Sequence, residues 1–419
     1  MARPVGLACV RCGAVYPVTR YAFDCERCHG TAPANLTVTY APAALAEASR
    51  DAWAAGPPTL WRYAALLPVE ARDAVSLHEG LTPLVPAARL GDELGARLFV
   101  KDESRNPTWS FKDRLATVVI SAARRLGARV IASSSSGNAG AAVAAYAARA
   151  GLPCVVFTFE GTAGPMVTQM RAYGAMVLAV RDKADRWKLL EAGVRRLGWF
   201  PTSPFFAPVV GSNPLGVEGY KTLAYEVAEQ LGWRAPDWCA LPVCYGDALY
   251  GMWKGFDELA RLGWIDRRPR MVAAEIYGSL TATLAAGGDA LVDAPRTHDT
   301  LAVSIGATRA TYQALAALRA SGGTAVQVPD DDLLHWQVRL AAVEGLYAEP
   351  SSVASLAALR RLRETGVIGA GQTVVAVVTA GGLKDPATTA RRQGEVPLVP
   401  PELDAALDAL KSVYGFTAA

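Results

Sequence analysis

Short, unbroken runs of apolar residues alternate along the chain with longer segments whose apolar residues recur at helical spacing. The runs include RLFVKDE at 97–103, RVIAS, PCVVFTF, MVLAV, DWCALPV, MVAAEI and TVVAVVT. Helical spacing is clearest in FKDRLATVVISAARRLG at 111–127 and in the small-residue segment NAGAAVAAYAARAG. Apolar strands that alternate with helices are typical of a parallel sheet covered on both faces. The pattern therefore predicts an α/β fold with parallel-rich sheets.

Three turns that follow predicted strands carry polar residues or glycine. They are SSSSGN at 133–138, CYGDAL at 244–249 and TAGGLKD at 379–385. Ligands of open parallel sheets bind beyond the carboxyl ends of the strands. Hydroxyl and backbone N–H groups at a helix N-terminus suit a carboxylate or a phosphate. The turns are therefore candidate ligand loops, although each alone also fits an ordinary helix cap or connecting loop.

The segment NPTWSFKDRLA at 106–116 places Lys112 between a phenylalanine and an Asp-Arg pair, at the start of a predicted helix. A solvated first-turn lysine is the ordinary interpretation of such a position. In an apolar, partly desolvated setting, however, a lysine has a lowered pKa and can attack a carbonyl carbon. The chain contains no Ser-His-acid triad, Walker loop or dinucleotide fingerprint. The lysine beside phosphate-type loops therefore predicts Schiff-base chemistry.

Composition and charge narrow the function classes. Of 419 residues, 51% are hydrophobic and 19% are charged, which is typical of globular proteins. A net charge of +3 is too small to indicate nucleic-acid binding. The start MARPVGLACV lacks the pattern of a signal peptide, and no apolar run has membrane-spanning length. We therefore expect a cytoplasmic protein without nucleic-acid or membrane partners.

Four of the seven cysteines form two CxxC pairs near the N-terminus, Cys9 with Cys12 and Cys25 with Cys28. Each pair can present two thiolates to one ion, and two pairs complete a tetrahedral zinc site. Such a site leaves no open ligand position, so its role is structural. The alternative is four free surface thiols that share this spacing by accident. The spacing favours a zinc ribbon.

Five motifs in order resemble the threonine synthase family. They are NPTWSFKDR, SSGN at 135–138, NPLGVEGYKTLAYEVAEQLGW at 213–233, LPVCYGDALYGMWKGF and TAGGLKDP. EGLTPL at 79–84, VKDES at 100–104 and the cysteine ribbon extend the resemblance over nearly the whole chain. It implies a two-domain, homodimeric enzyme of fold type II that depends on pyridoxal phosphate (PLP). The implied division is a zinc ribbon at 1–40 and a catalytic region at 41–419, with a smaller subdomain at roughly 105–215.

The resemblance assigns cofactor contacts to individual residues. Lys112 would anchor the cofactor through a Schiff base and act as general acid and base. Phe111 would pack beside the pyridine ring, Asn138 would bind the 3-oxygen, and Thr379 would face the ring nitrogen. The phosphate would lie in the turn formed by Cys244, Tyr245, Gly246, Asp247 and Ala248.

The implied substrate contacts are Thr82, Trp109, Ser135, Ser136 and Gly137, with the serine loop binding the substrate carboxylate. Trp109 stands where the resembled pattern has glycine. It either fills vacated substrate space or packs against a neighbouring loop.

Other departures concern the substrate phosphate that threonine synthases hold. Ala139 replaces a threonine, and Gly216 replaces an arginine. Val210, Gly211 and Ser212 stand where the resembled family has an Asn-Ser pair followed by an apolar residue. Lys221 and Arg309 are candidate compensating cations. Asp247 is expected to point away from the cofactor phosphate, as the N-cap of the next helix. Gly381 replaces a histidine-type residue.

Losing an arginine removes a bidentate, permanently charged phosphate partner. The expected activity is therefore PLP-dependent β- or γ-elimination or replacement on a small amino acid whose leaving group is not phosphate. The alternative is threonine synthase itself, which converts O-phosphohomoserine to threonine. A catalytically inactive PLP-binding protein is a further alternative, disfavoured because Lys112, Asn138 and Thr379 are all present.

Overall fold

The computed structural model describes residues 4–19, 23–30, 32–41, 45, 48–162, 164–391 and 393–417. They fall into two compact units, one within Met1–Asp385 and the other within Pro386–Ala419.

The strands of the first unit are β1 Pro4–Cys9, β2 Val15–Tyr16, β3 Leu36–Tyr40, β4 Leu84–Pro86, β5 Arg97–Asp102, β6 Ile131–Ser134, β7 Cys154–Phe159, β8 Met176–Val180, β9 Phe200–Pro201, β10 Trp238–Pro242, β11 Arg270–Glu275, β12 Thr324–Gln327 and β13 Thr373–Val378. Its α-helices are α1 Arg50–Ala54, α2 Ala88–Leu94, α3 Lys112–Arg125, α4 Asn138–Ala150, α5 Gly164–Ala172, α6 Asp185–Leu197, α7 Pro214–Val217, α8 Thr222–Gln230, α9 Asp247–Arg261, α10 Ser279–Ala286, α11 Tyr312–Ser321, α12 Asp330–Glu344 and α13 Ala354–Glu364. Short 3-10 helices lie at Leu60–Leu66, Ala71–Asp73, Glu103–Arg105, Glu218–Lys221, Val303–Ile305, Pro350–Val353 and Gly382–Lys384.

A six-stranded sheet forms the centre of the first unit, with the order β12-β11-β10-β13-β5-β4. Only the edge strand β4 is antiparallel to its neighbour. All residues of β10 are buried, as a strand covered on both faces requires. The predicted α/β fold with parallel-rich sheets is confirmed.

A second sheet has four parallel strands in the order β8-β7-β6-β9. Helix α4 packs against α3 and α5 beside this sheet, and α6 packs against β6 and β7. The small residues of α4 allow close packing, and the helix ends where Gly151 adopts a φ of 68°. This sheet lies within the predicted subdomain at 105–215, whose boundaries stay a prediction.

The N-terminal strands form a separate antiparallel sheet in the order β2-β1-β3. Strand β1 ends at Cys9, which lies opposite Leu36 of β3. This sheet falls within residues 1–40.

The second unit contains α14 Pro386–Ala390 and α15 Leu403–Tyr414, and no residue of α15 is buried. Among the described residues of both units, no helix is long and apolar enough to cross a membrane.

Candidate active site

The loop that precedes α3 is fastened to the loop that follows β13. The N–H of Phe111 donates to the carbonyl of Thr379 over 2.8 Å, and the N–H of Gly381 donates to the carbonyl of Trp109 over 3.1 Å. Ser110 and Ala380 form an antiparallel bridge between these two bonds. The lysine-bearing segment therefore sits at the carboxyl edge of the central sheet.

Lys112 begins α3 and is enclosed by two aromatic rings. Its Nζ lies 4.3 Å from the centroid of the Phe111 ring and donates a hydrogen bond to Tyr220 Oη over 3.2 Å. The two rings pack at 5.3 Å between centroids. Burial lowers the pKa of Lys112, and the nearby Asp247, Cys244 and Glu349 act in the opposite direction. The predicted apolar, partly desolvated setting of this amine is present.

A buried ion network fixes the first turn of α3. The Arg114 guanidinium contacts Glu103 and Glu226, each at 2.6 Å, and Lys101 contacts Glu226 at 2.7 Å. All four side chains have no exposed surface. Removing one partner of such a network costs about 3–5 kcal/mol because a buried charge is left uncompensated. Because Arg114 lies two residues after Lys112, the network fixes the backbone that carries Lys112.

Thr82 belongs to that network rather than to the surroundings of Lys112. Its hydroxyl donates to Glu103 over 2.5 Å and accepts from Arg114 over 3.2 Å, and the residue is 2% exposed. A contact between Thr82 and substrate would require these bonds to exchange. Its substrate role stays a prediction.

The SSSSGN turn opens α4 and faces a buried carboxylate. Asn138 Nδ2 donates to Glu349 over 2.8 Å, and Ser304 Oγ donates to the other Glu349 oxygen over 2.5 Å. The Oδ1 of Asn138 is buried without a partner among the described residues. Because unpaired buried polar atoms are costly, this atom marks a place for a ligand.

Ser135 stabilises the turn itself, since its Oγ accepts from the N–H of Gly140 over 2.8 Å. A Cβ on Gly137 would meet only Ser304 Oγ, at 4.0 Å, so the space beside Gly137 is open. Ser136 is half-buried next to it.

The CYGDAL turn is shaped by Gly246, which has a φ of 96° and forms the N-cap of α9. A Cβ there would lie 2.2 Å from the Cβ of Ala314. With no side chain at the N-cap, the first N–H groups of α9 stay available to an anion. Cys244, Tyr245 and Ala248 complete the turn.

Asp247 is the first residue of α9, so the expectation that it would be the N-cap is wrong. Gly246 occupies that position because the backbone there has a positive φ. The Asp247 carboxylate accepts from the N–H of Ser212 at 3.1 Å and from its Oγ at 2.7 Å, and it contacts Gln313. These bonds hold the carboxylate on neighbouring polar groups.

Thr379 directly follows β13, and its hydroxyl is paired to Ser352 Oγ over 2.9 Å. Trp109 lies beside this loop with a φ of 63° and a side chain that is 55% exposed. Its ring has the Nζ of Lys384 5.9 Å from its centroid. The indole therefore lies near the neighbouring loop at Lys384 without being buried there, and its substrate contact stays a prediction.

The positions expected to bind a substrate phosphate are occupied by packing. A Cβ on Gly216 would lie 2.9 Å from Leu115 Cγ and 3.0 Å from Val119 Cβ, both on α3. A Cβ on Gly211 would lie 2.5 Å from Gln313 and 2.6 Å from Asn35. A side chain at Gly216 would collide with the branched carbons of α3, and one at Gly211 would require Gln313 and Asn35 to move.

The two candidate compensating cations already have partners. Lys221 is fully buried between Glu218 at 2.8 Å and Glu258 at 3.1 Å. Arg309 contacts Asp293 at 2.8 Å.

Tyr220, Glu349 and Lys384 surround the site but were missed by sequence reasoning. Tyr220 is 108 positions from Lys112, and Glu349 is 211 positions from Asn138. No local pattern marks such long-range pairs. The one available signal is that Tyr220 and Lys384 lie inside motifs that carry the family resemblance.

These groups fit a cofactor of the PLP kind. A desolvated amine can bind an aldehyde, a helix N-terminus can bind a phosphate, and the unpaired Oδ1 of Asn138 indicates a further polar contact for a ligand. The Nδ2 of Asn138 has a second hydrogen beside the one given to Glu349, so it can also donate to an oxygen of the ring.

The four N-terminal cysteines come together as a cluster whose sulfur atoms all lie within 4.8 Å of one another. Cys9 Sγ lies 3.9 Å from Cys28 Sγ, and Cys12 Sγ lies 3.5 Å from Cys25 Sγ. Tetrahedral zinc with Zn–S bonds of about 2.3 Å requires sulfur atoms roughly 3.8 Å apart. The cluster has the size of such a site.

Comparison with known proteins identifies relatives along the whole chain. A family model described as "Pyridoxal-phosphate dependent enzyme" matches residues 75–380. Threonine synthase of Methanosarcina acetivorans is 38% identical over 417 residues, 98% of each chain. Threonine synthase of Methanocaldococcus jannaschii is 35% identical over 416 residues, covering 97% of this chain and 98% of the relative.

Solved structures share the fold at lower identity. O-ureido-L-serine synthase superposes with a TM-score of 0.62 at 24% identity, over 78% of this chain and 96% of that one. Threonine deaminase isoform 2 from Solanum lycopersicum gives 0.62 at 21%, over 74% and 88%. These likenesses concern the fold alone.

Proposed function

The chain belongs to the pyridoxal-phosphate dependent enzyme family, with a threonine synthase-like fold of type II, and from this premise we propose its reaction. The proposed reaction is β- or γ-elimination or replacement on a small amino acid whose leaving group is not phosphate. The carrying observation is the packing at Gly216, where Leu115 and Val119 occupy the space that an arginine side chain would need. Gly211 brings no side-chain donor, and the cations Lys221 and Arg309 are already paired with carboxylates.

When bound, PLP supplies an aldehyde that condenses with amines and a ring that withdraws electrons from the substrate's α-carbon. Lys112 would hold the aldehyde carbon between turnovers and move the α-proton once its amine is free. Its lowered pKa keeps more of the amine unprotonated, as a base requires. Tyr220 Oη offers the free amine a fixed position 3.2 Å away.

The remaining residues would bind and orient. The N–H groups at the start of α9 would hold the cofactor phosphate, and Asn138 would donate to the ring oxygen, beside Phe111. Ser135, Ser136 and Gly137 would bind the substrate carboxylate. A neutral hydroxyl at Thr379 stabilises a proton on the ring nitrogen less than a carboxylate does, which favours elimination and replacement over transamination.

Zinc is the proposed occupant of the cluster formed by Cys9, Cys12, Cys25 and Cys28. The spacing of its sulfur atoms supports this. With four protein ligands and none open, the ion would be structural. A homodimer, expected from the resemblance, is proposed with it.

Threonine synthase is the second candidate, supported by relatives of that name at 35% and 38% identity over almost the full length. It would require the substrate phosphate to be held by groups other than Gly211 and Gly216.

A substrate panel tests the proposal. Purified holoenzyme is offered O-phosphohomoserine, O-acetylhomoserine, O-acetylserine and serine, and release of keto acid and threonine is measured. We expect turnover of an O-acetylated or unsubstituted amino acid, abolished by Lys112→Ala together with the visible absorption of the bound cofactor. Lys188→Ala is the control, because Lys188 is 77% exposed. Efficient threonine formation from O-phosphohomoserine would refute the proposed leaving group.

A further inference from the structure

A buried cation next to the four-stranded sheet, Arg186, has no carboxylate partner among the described residues. Arg186 lies in the first turn of α6 and is 6% exposed. Its Nε donates to the carbonyl of Lys183 over 2.9 Å, and its guanidinium lies 5.2 Å from the centroid of the Phe159 ring. In the part of the chain that the structure describes, no acidic side chain contacts it.

This arrangement differs from that of three other buried cations in the molecule, whereas the buried Lys384 pairs with the amide of Gln169. Lys101, Arg114 and Lys221 each contact a carboxylate, at 2.7, 2.6 and 2.8 Å. A buried guanidinium without a counter-ion is costly, and an aromatic face compensates only a fraction of that cost. Burial lowers the pKa of Arg186, because removing the guanidinium from water disfavours its charged form. A bound anion would offset the cost of burying this charge.

Arg186 lies close to the candidate active site. The SSSSGN turn follows β6, which pairs with β7, and β7 pairs with β8, so the segments after these three parallel strands lie at one edge of the four-stranded sheet. Phe159, beneath the guanidinium, ends β7, and Arg186 follows β8. Both positions are at the carboxyl ends of parallel strands, where ligands of such sheets bind.

The donor set indicates which anion fits. A guanidinium presents a planar fork that matches a carboxylate with two parallel hydrogen bonds. A phosphate dianion usually takes several further donors, and Ala139, Gly211 and Gly216 provide no side-chain donor. Lys183 is exposed and adds a second positive charge near the Arg186 guanidinium.

We propose that Arg186 is a substrate-binding residue that recognises a carboxylate beyond the reacting carbon. The carboxylate belongs either to the leaving group or to the incoming nucleophile of a replacement. The inference rests on the proposed function, and it names the substrate class: an amino acid or co-substrate with a second, distal carboxylate.

The test compares Arg186→Gln and Arg186→Lys with the wild type and with Arg195→Gln. Arg195 is the matched control because it lies on the same helix, exposed, and pairs with Glu191. Substrates are used in pairs: O-succinylhomoserine against O-acetylhomoserine for the leaving group, and mercaptoacetate against ethanethiol for the nucleophile.

We expect Arg186→Gln to lower kcat/KM for the carboxylate-bearing member of one pair by roughly 100-fold or more, as loss of a desolvated charge pair requires. The neutral member should change by less than about 3-fold, and Arg186→Lys should recover only part of the loss because it lacks the fork. The pair affected identifies the source of the carboxylate. Calorimetric binding of succinate to the holoenzyme should weaken in Arg186→Gln and not in Arg195→Gln.

Three results would overturn the inference. Equal losses on both members of each pair would assign Arg186 a structural role. Weakened PLP binding without a change in substrate preference would assign it to the cofactor phosphate. If O-phosphohomoserine is the preferred substrate and Arg186→Gln abolishes that preference, the residue recognises phosphate and the proposed leaving group is wrong as well. In the first two cases, turnover of O-acetylated substrates would leave the proposed function standing.

Discussion

Replacing Gly246 with alanine tests whether the cofactor turn is held by close packing against α11. The new Cβ would lie 2.2 Å from the Cβ of Ala314, a residue with no exposed surface. The backbone φ of 96° adds about 1 kcal/mol of strain for a residue with a side chain. Overpacking of this kind costs about 1–3 kcal/mol. The expected loss of stability is therefore about 2–4 kcal/mol.

Gly263→Ala is the matched control because Gly263 follows the other end of α9, has a φ of 69° and would meet nothing within 4 Å. It should lose only the backbone term of about 1 kcal/mol. Ala314→Gly should partly rescue Gly246→Ala by removing the opposing methyl group. The double variant should be more stable than the sum of the single changes predicts, by about 1 kcal/mol or more.

The measurements are urea unfolding and titration with PLP, followed by absorbance. Because the turn supplies the proposed phosphate donors, Gly246→Ala should also weaken PLP binding by roughly 10-fold or more, whereas Gly263→Ala should not. If Gly246→Ala costs no more than Gly263→Ala, or if Ala314→Gly fails to restore PLP binding, the packing argument is wrong.

Three further predictions concern separate parts of the molecule. Gly216→Arg should lose about 2–4 kcal/mol of stability and gain no activity on O-phosphohomoserine, because Leu115 and Val119 fill the space. A variant that is stable in unfolding assays and converts O-phosphohomoserine would contradict this. Cys12→Ser should release the ion from the cysteine cluster, detected by elemental analysis, and lower the thermal midpoint, while unchanged zinc content would exclude the site. Burial lowers the pKa of Lys384 from 10.5 to about 8. At neutral pH this shift destabilises the folded protein by roughly 3 kcal/mol. The penalty disappears as pH rises from 8 to 10.5, because the folded protein loses the proton first. Lys384→Met should therefore be stabilised relative to the wild type at pH 7, less its lost bond to Gln169, and the difference in thermal midpoint should narrow by pH 9.5; a constant difference would contradict the assignment.

Strands and helices could be predicted because each is decided locally, by an apolar run or by helical spacing. The position of the candidate loops directly after strands followed from the same pattern. The contacts of Thr82 and the N-cap at Gly246 could not be predicted, because one depends on an ion network between distant segments and the other on a positive φ. Arg186 gave no signal for a related reason: what distinguishes it is the missing carboxylate, which only the folded chain reveals.

The half of the site proposed to hold the cofactor and the half proposed to hold the substrate differ in how they are built. The cofactor half consists largely of backbone groups and of side chains fixed by buried partners, such as Lys112 beside the Arg114 network. The substrate half includes a single exposed side chain, Trp109, that can change without crowding a neighbour. Trp109 illustrates the boundary: it retains a φ of 63°, which costs about 1 kcal/mol, because its carbonyl and that of Thr379 fasten the lysine loop to β13. The loop geometry that serves Lys112 is thus preserved at the expense of strain, while the indole beyond it is free to face a different substrate.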